Sequence, residues 1–148
     1  MPVAKFMNGR FVVAGATLTL AAALLAGIGA HGQSASRSIR DGVFSAAQVE
    51  RGRNVFRWEC MECHEMEEYT AAGGYLEEME GKTLWEVFEY VWLEMPEDMP
   101  AWLEPTEYAD VLSYIFSVYG MPAGDVDMPV DRAVLEQIVI EAPDLPGS

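Results

Sequence analysis

The chain has 148 residues, 51% of them apolar, which suffices for one ordinary domain with a tail. Nine Lys and Arg against 24 Asp and Glu give a formal net charge of −15. Nucleic-acid binding, which needs a basic footprint, is excluded. What the charge allows is a solubilising surface, or electrostatic steering towards a basic protein partner.

Residues 1–32 read as an export signal. Lys5 and Arg10 form a positive start, residues 11–30 are an uncharged apolar run, and small and polar residues follow. Cleavage after Ala30 or Gly32 is expected; an uncleaved membrane anchor through residues 11–30 is the alternative, because the run is just long enough to span a bilayer. Either way the remainder lies outside the cytoplasm, in the periplasm or an equivalent exported compartment. Removing residues 1–32 takes Lys5 and Arg10 with it and leaves a net charge of −17.

Residues 33–42 are polar and read as a flexible lead-in. Ser45 and Gln48 then form a capping box, with Phe44 as a hydrophobic staple, and open a helix over Ala46–Glu59. Val49, Gly52, Val55 and Phe56 fall near one face of it. Gly52 lowers helix stability by roughly 1 kcal/mol relative to Ala, a cost best explained by close approach of a second helix.

The helix runs into Cys60-Met61-Glu62-Cys63-His64, the C-x-x-C-H pattern of covalent haem attachment. Two thiols at this spacing can each form a thioether with one of the two vinyl groups on a porphyrin edge. The adjacent His64 can then bind the iron from one face. A disulfide across the two cysteines is the competing reading, since exported thiols pair by default; its thioredoxin-like redox-active form needs a βαβ context that the sequence does not show. A closed zinc site needs four ligands, and after export His64 is the last histidine.

Beyond the motif, residues 71–74 read as a loop and 75–80 as a short helical turn. Thr83 and Glu86 form a second capping box opening a helix to about Leu93, with Leu84, Val87, Phe88 and Val91 as its apolar stripe. Pro96 and Pro100 break the chain. A strong amphipathic helix follows from Pro105 to Tyr119, ended by Gly120. The tail, residues 121–148, is proline-rich, has at most one short helix after Asp131, and is expected to wrap on the domain surface. No convincing strand pair is expected.

With His64 committed to one face of the iron, methionine is the natural sixth ligand. Met61 lies inside the attachment loop, and Met66 and Met79 read as packing or surface residues. Met95 and Met99 both precede proline between two helices, and spacing barely separates them. Met121 and Met128 fall in the tail.

From Phe44 to Tyr119 the sequence resembles a class I cytochrome c. Gly52, Phe56 and Cys60 at intervals of four match that family's first helix, Cys60 to His64 its haem motif, and Tyr108-Ala109-Asp110-Val111-Leu112-Ser113-Tyr114 its C-terminal helix. Residues 95–103 followed by Tyr108-Ala109-Asp110 further resemble a bacterial subgroup found with quinoprotein-type dehydrogenases. The resemblance implies an all-α fold of three to five helices around one covalently bound haem c, over residues 43–120. It implies Cys60 and Cys63 as attachment points, His64 as proximal ligand and Met95 as distal ligand, with Met99 as the alternative because Met99-Pro100-Ala101-Trp102 is similar to another ligand motif of the class. Gly52 and Phe56 should then meet Val111 and Tyr114.

Two departures stand out. Ala101 replaces a usual glycine. The interval from His64 to Met95 is short and lacks the proline whose carbonyl commonly accepts the proximal histidine's N–H, so that acceptor is not identified. No nucleophile–base pair stands out, and the expected function is electron transfer rather than catalysis. A monohaem carrier serving redox protein partners is the first reading. A dedicated electron-accepting subunit of a dehydrogenase or oxidase, and a haem sensor or gas-binding protein with an open sixth position, are the alternatives. Membrane association is expected only if the N-terminal segment is retained.

Overall fold

The computed structural model describes residues 36–70 and 75–142. The expected leader (1–32), the first lead-in residues (33–35), the loop 71–74 and the tail end (143–148) lie outside the described residues. Among the described residues the chain is predominantly α-helical. Helix α1, Ala46–Glu59, starts at Ser45, whose hydroxyl accepts from the Gln48 N–H at 3.0 Å. The reciprocal half of that capping box does not form. Gln48 is buried, and its amide needs both a donor and an acceptor. It finds them in the tail, accepting from the Met128 N–H at 2.7 Å and donating to the Met128 carbonyl at 3.3 Å.

A 3₁₀ turn, Met66–Tyr69, precedes the short helix α2, Tyr75–Met79. Helix α3, Leu84–Glu94, opens on the full capping box. Glu86 N–H donates to Thr83 Oγ1 at 3.3 Å, and Thr83 N–H donates to the Glu86 carboxylate at 2.7 Å. Helix α4, Pro105–Val118, has proline in its first turn, where no intrahelical N–H is lost. It ends before Gly120, whose φ is +90°.

The core is built on α1 crossing α4. A Cβ placed on Gly52 would lie 1.8 Å from the Asp110 carbonyl oxygen and 3.0 Å from the Val111 nitrogen. Only glycine admits this approach. One turn on, the Phe56 ring packs against Tyr114 at 5.6 Å between centroids. On the exposed side of the crossing, Arg51 grips Asp110 with two nitrogens, at 2.8 and 2.9 Å, and Asp127 of the tail at 2.7 Å. Ser45 hydrogen-bonds the same Asp127. Leu84, Val87 and Phe88 bring α3 into the same core.

The two ends of the domain depart from the sequence expectations. Residues 36–42 are not a loose lead-in. Strand β1, Arg37–Ser38, pairs in parallel with β2, Ile138–Val139, in the register Arg37 with Ile138 and Ser38 with Val139. A 3₁₀ turn, Ile39–Asp41, then buries Ile39 completely. A two-residue pairing between positions about 100 apart leaves no alternating pattern to read. The tail likewise enters the core instead of merely wrapping it. Met121, Met128, Leu135, Ile138 and Ile140 are buried, and helix α5, Arg132–Leu135, lies between them. Tail and domain are therefore one packing unit in the described residues. No helix among the described residues is long and apolar enough to cross a membrane.

Candidate functional site

Helix α1 delivers the cysteine motif at its C-terminus. Cys60 caps the helix through its N–H to the Phe56 carbonyl, and the chain then turns, with the Cys63 and His64 N–H groups both donating to the Cys60 carbonyl at 3.1 and 3.0 Å. This turn sets Cys60, Cys63 and His64 on the wall of a single cavity of about 1210 Å³. The volume is above the roughly 300–1,000 Å³ usual for pockets that take drug-sized molecules. Phe56, Tyr69, Val87, Val91, Leu103, Tyr108, Val111, Leu112 and Ile115 give it extensive apolar surface.

Both cysteines are free thiols, Cys60 half-buried and Cys63 exposed. Burial, aided by the neighbouring Glu59 charge, pushes the Cys60 thiol up to about 11. At neutral pH it is therefore held as the thiol. Among the described residues no three His, Cys, Asp or Glu side chains gather as a metal-ion site.

The methionines separate by position. Met95 lies on the cavity wall, and so does Met79. Met99 is 47% exposed and contributes nothing to the wall, and Met61 is exposed as well. The Met66 sulfur accepts from the Tyr114 hydroxyl at 3.6 Å. Met121 and Met128 are buried elsewhere in the core. Of the two candidates favoured by sequence, then, the cavity takes Met95 and not Met99, and it adds Met79.

Tyr108 fixes the Met95 segment. Its hydroxyl donates to the Met95 carbonyl at 2.7 Å and accepts from the Leu103 N–H at 3.4 Å, tying both ends of the loop to α4. Sequence placed Tyr108 on the apolar face of that helix, and its polar tip gave no separate signal. Within this loop Ala101 has φ +57°, a left-handed conformation that favours glycine.

His64 is also held. Its Nδ1 lies 3.1 Å from Glu68 Oε2, and its ring lies 5.8 Å from Tyr69 and 6.4 Å from Tyr75. Tyr69 is buried edge-on against Phe56 at 5.4 Å, and burial, then the Glu68 charge, raises the pKa of its hydroxyl. Glu68 is the contact that sequence left unnamed; its only signal was the spacing of four residues from His64.

Besides His64, the charged part of the wall is acidic: Glu59, Glu62, Glu78, Glu86, Glu97 and Asp98 line the cavity with one lysine, Lys82. Glu86 is occupied by its capping hydrogen bonds, and the Thr83 backbone N–H lowers its pKa. Comparison with protein-family models, with curated proteins and with solved structures gives no match to this chain.

Proposed function

We propose that the chain is an exported monohaem c-type cytochrome that passes single electrons between redox proteins. The observation that carries this reading is the convergence of Cys60, Cys63, His64 and Met95 on one large, mainly apolar cavity. These residues fit a haem by donor chemistry: two thiols for covalent attachment, an imidazole and a thioether for the iron. In this reading Cys60 and Cys63 would hold the haem covalently, and His64 and Met95 would be the proximal and distal ligands of its iron. When bound, haem supplies the one-electron couple, and the protein supplies burial, ligation and field.

The chain's own part follows from the wall. Phe56, Val87, Val111, Leu112 and Ile115 line the cavity with apolar surface, so charges beside them act at a lower dielectric than in solution. Tyr108 holds the Met95 backbone, which limits the positions its thioether can take. The acidic residues at the wall favour a partner with a basic face. A class I cytochrome c fold is supported by the Gly52–Val111 and Phe56–Tyr114 contacts and by the glycine-like backbone at Ala101.

The test is expression of the full chain with a competent c-type maturation system. Denaturation-resistant haem, lost in the Cys60→Ser, Cys63→Ser double variant, is expected. The ferric protein should show the weak red-edge charge-transfer band of thioether ligation. Met95→Ala should abolish it, and Met99→Ala should leave it intact. Loss in Met79→Ala instead would move the ligand to α2. Avid carbon monoxide binding by the reduced protein would replace the carrier reading with a sensor, and absence of covalent haem would end both.

A further inference from the structure

The 3₁₀ turn Met66–Tyr69 ends on Tyr69, whose buried ring packs edge-on against Phe56. That turn sets the Glu68 carboxylate 3.1 Å from His64 Nδ1. We propose that Glu68 is the hydrogen-bond acceptor that positions the proximal histidine, and that its charge holds the haem at a lower reduction potential than a neutral acceptor would. This rests on the haem reading above.

An ionised carboxylate only accepts hydrogen bonds. Paired with it, the neutral ring must carry its proton on Nδ1, which leaves Nε2 as the lone-pair donor for the iron. Glu68 therefore selects the tautomer as well as the orientation, while the Tyr69 ring limits rotation from the side. A bond to a charged acceptor is about twice as strong as one to a neutral carbonyl. It draws the Nδ1 proton outward, makes the imidazole a stronger base and so favours the ferric state. Glu68 is 37% exposed and His64 24%, so solvent weakens the charge but leaves the directional bond in place.

The experiment is potentiometric titration of the haem-loaded full chain as wild type, Glu68→Gln and Glu67→Gln. Glutamine can keep the hydrogen bond but loses the charge. For Glu68→Gln the ferrous-to-ferric ratio at a fixed potential should rise at least about tenfold, which is about 59 mV for one electron. Glu67→Gln removes the same charge from the adjacent, exposed residue and should shift the ratio distinctly less. Equal shifts in the two variants, or none in Glu68→Gln, overturn the proposal. An independent reading comes from proton–nitrogen correlation spectra of the ferrous wild type. A downfield His64 Nδ1–H that exchanges slowly with solvent is expected, and one exchanging at the free-imidazole rate overturns the proposal even if Glu68→Gln fails to mature. A wild type without covalent haem would overturn the underlying reading instead, and this one with it.

Discussion

Gly52→Ala sets two effects of known size against each other. In a helix interior the substitution gains about 1 kcal/mol from propensity. Against that, the added Cβ would lie 1.8 Å from the Asp110 carbonyl oxygen, where a carbon and a carbonyl oxygen normally approach to about 3.3 Å. The obstacle is backbone in the middle of α4, so it cannot rotate away as a side chain can. Helix α4 must retreat by about 1.5 Å along that contact. The retreat also pulls Asp110 from the two nitrogens of Arg51. Overpacking costs about 1–3 kcal/mol, and a backbone obstacle belongs at the top of that range. The net expectation is destabilisation by about 2 kcal/mol. That should lower the melting temperature by about 8 °C. Urea unfolding followed by far-ultraviolet circular dichroism, with the slope unchanged, reads the loss as a lower midpoint. A midpoint equal to or above wild type would refute the reasoning, because propensity would then outweigh the helix contact.

Ala101→Gly runs the other way. The left-handed backbone at φ +57° costs an alanine about 1–2 kcal/mol, while glycine's greater freedom in the unfolded chain costs about 0.4–1 kcal/mol; a small rise in unfolding midpoint is expected, and a fall would show that the strain is absent. Asp127 carries acid sensitivity. Its pKa is lowered by the Ser45 hydroxyl bond and by Arg51, so its contribution is complete above the unfolded value of about 4 and is lost as pH falls through the folded one. Because the side chain is 50% exposed, that contribution is under about 1 kcal/mol. Asp127→Asn should therefore flatten the stability curve below about pH 4, and an unchanged curve would assign the acid loss elsewhere. Electron transfer to a basic protein should slow steeply as salt rises through 0.1 M, where the screening length is about 10 Å; a flat stopped-flow response would leave the acidic surface a solubilising role only.

The helices were legible in sequence because their signals are local. Ser45, the Thr83–Glu86 pair, Pro105 and Gly120 each act within one turn, and the helix ends fall where those residues stand. Gly52 was legible for a different reason: an unfavourable residue on the apolar face of a helix implied a neighbour close enough to require it. What escaped depends on partners distant in the chain. Gln48 fitted a local capping box, and nothing nearby indicated that Met128 would claim its amide. Ile39 lies in polar surroundings, and Ile138 opens an apolar run of three residues, Ile138 to Ile140, too short to show a period, so neither announced a core position. Glu68 and Met79 were hidden by composition, as members of an acid-rich stretch where no single carboxylate or thioether stands out.

The residues hidden in sequence fall into two groups, and the division bears on function. The cavity wall draws only on positions from Phe56 to Ile115 among the described residues. Residues 36–55 and 116–142 contribute none of it, yet they supply Ile39, Phe44, Phe116, Leu135, Ile138 and Ile140 to the core. The terminal segments therefore stabilise the frame without lining the cavity; they meet its wall where the Ile140 N–H donates to the Lys82 carbonyl and where Tyr119 packs on Tyr69, and Arg51 links them to the α1–α4 crossing through Asp110 and Asp127. In this arrangement, losing tail contacts should lower stability first and leave the donor set on the wall unchanged. Changes at Glu68, Met95 or Tyr108 should act in the opposite order, altering the site before the frame.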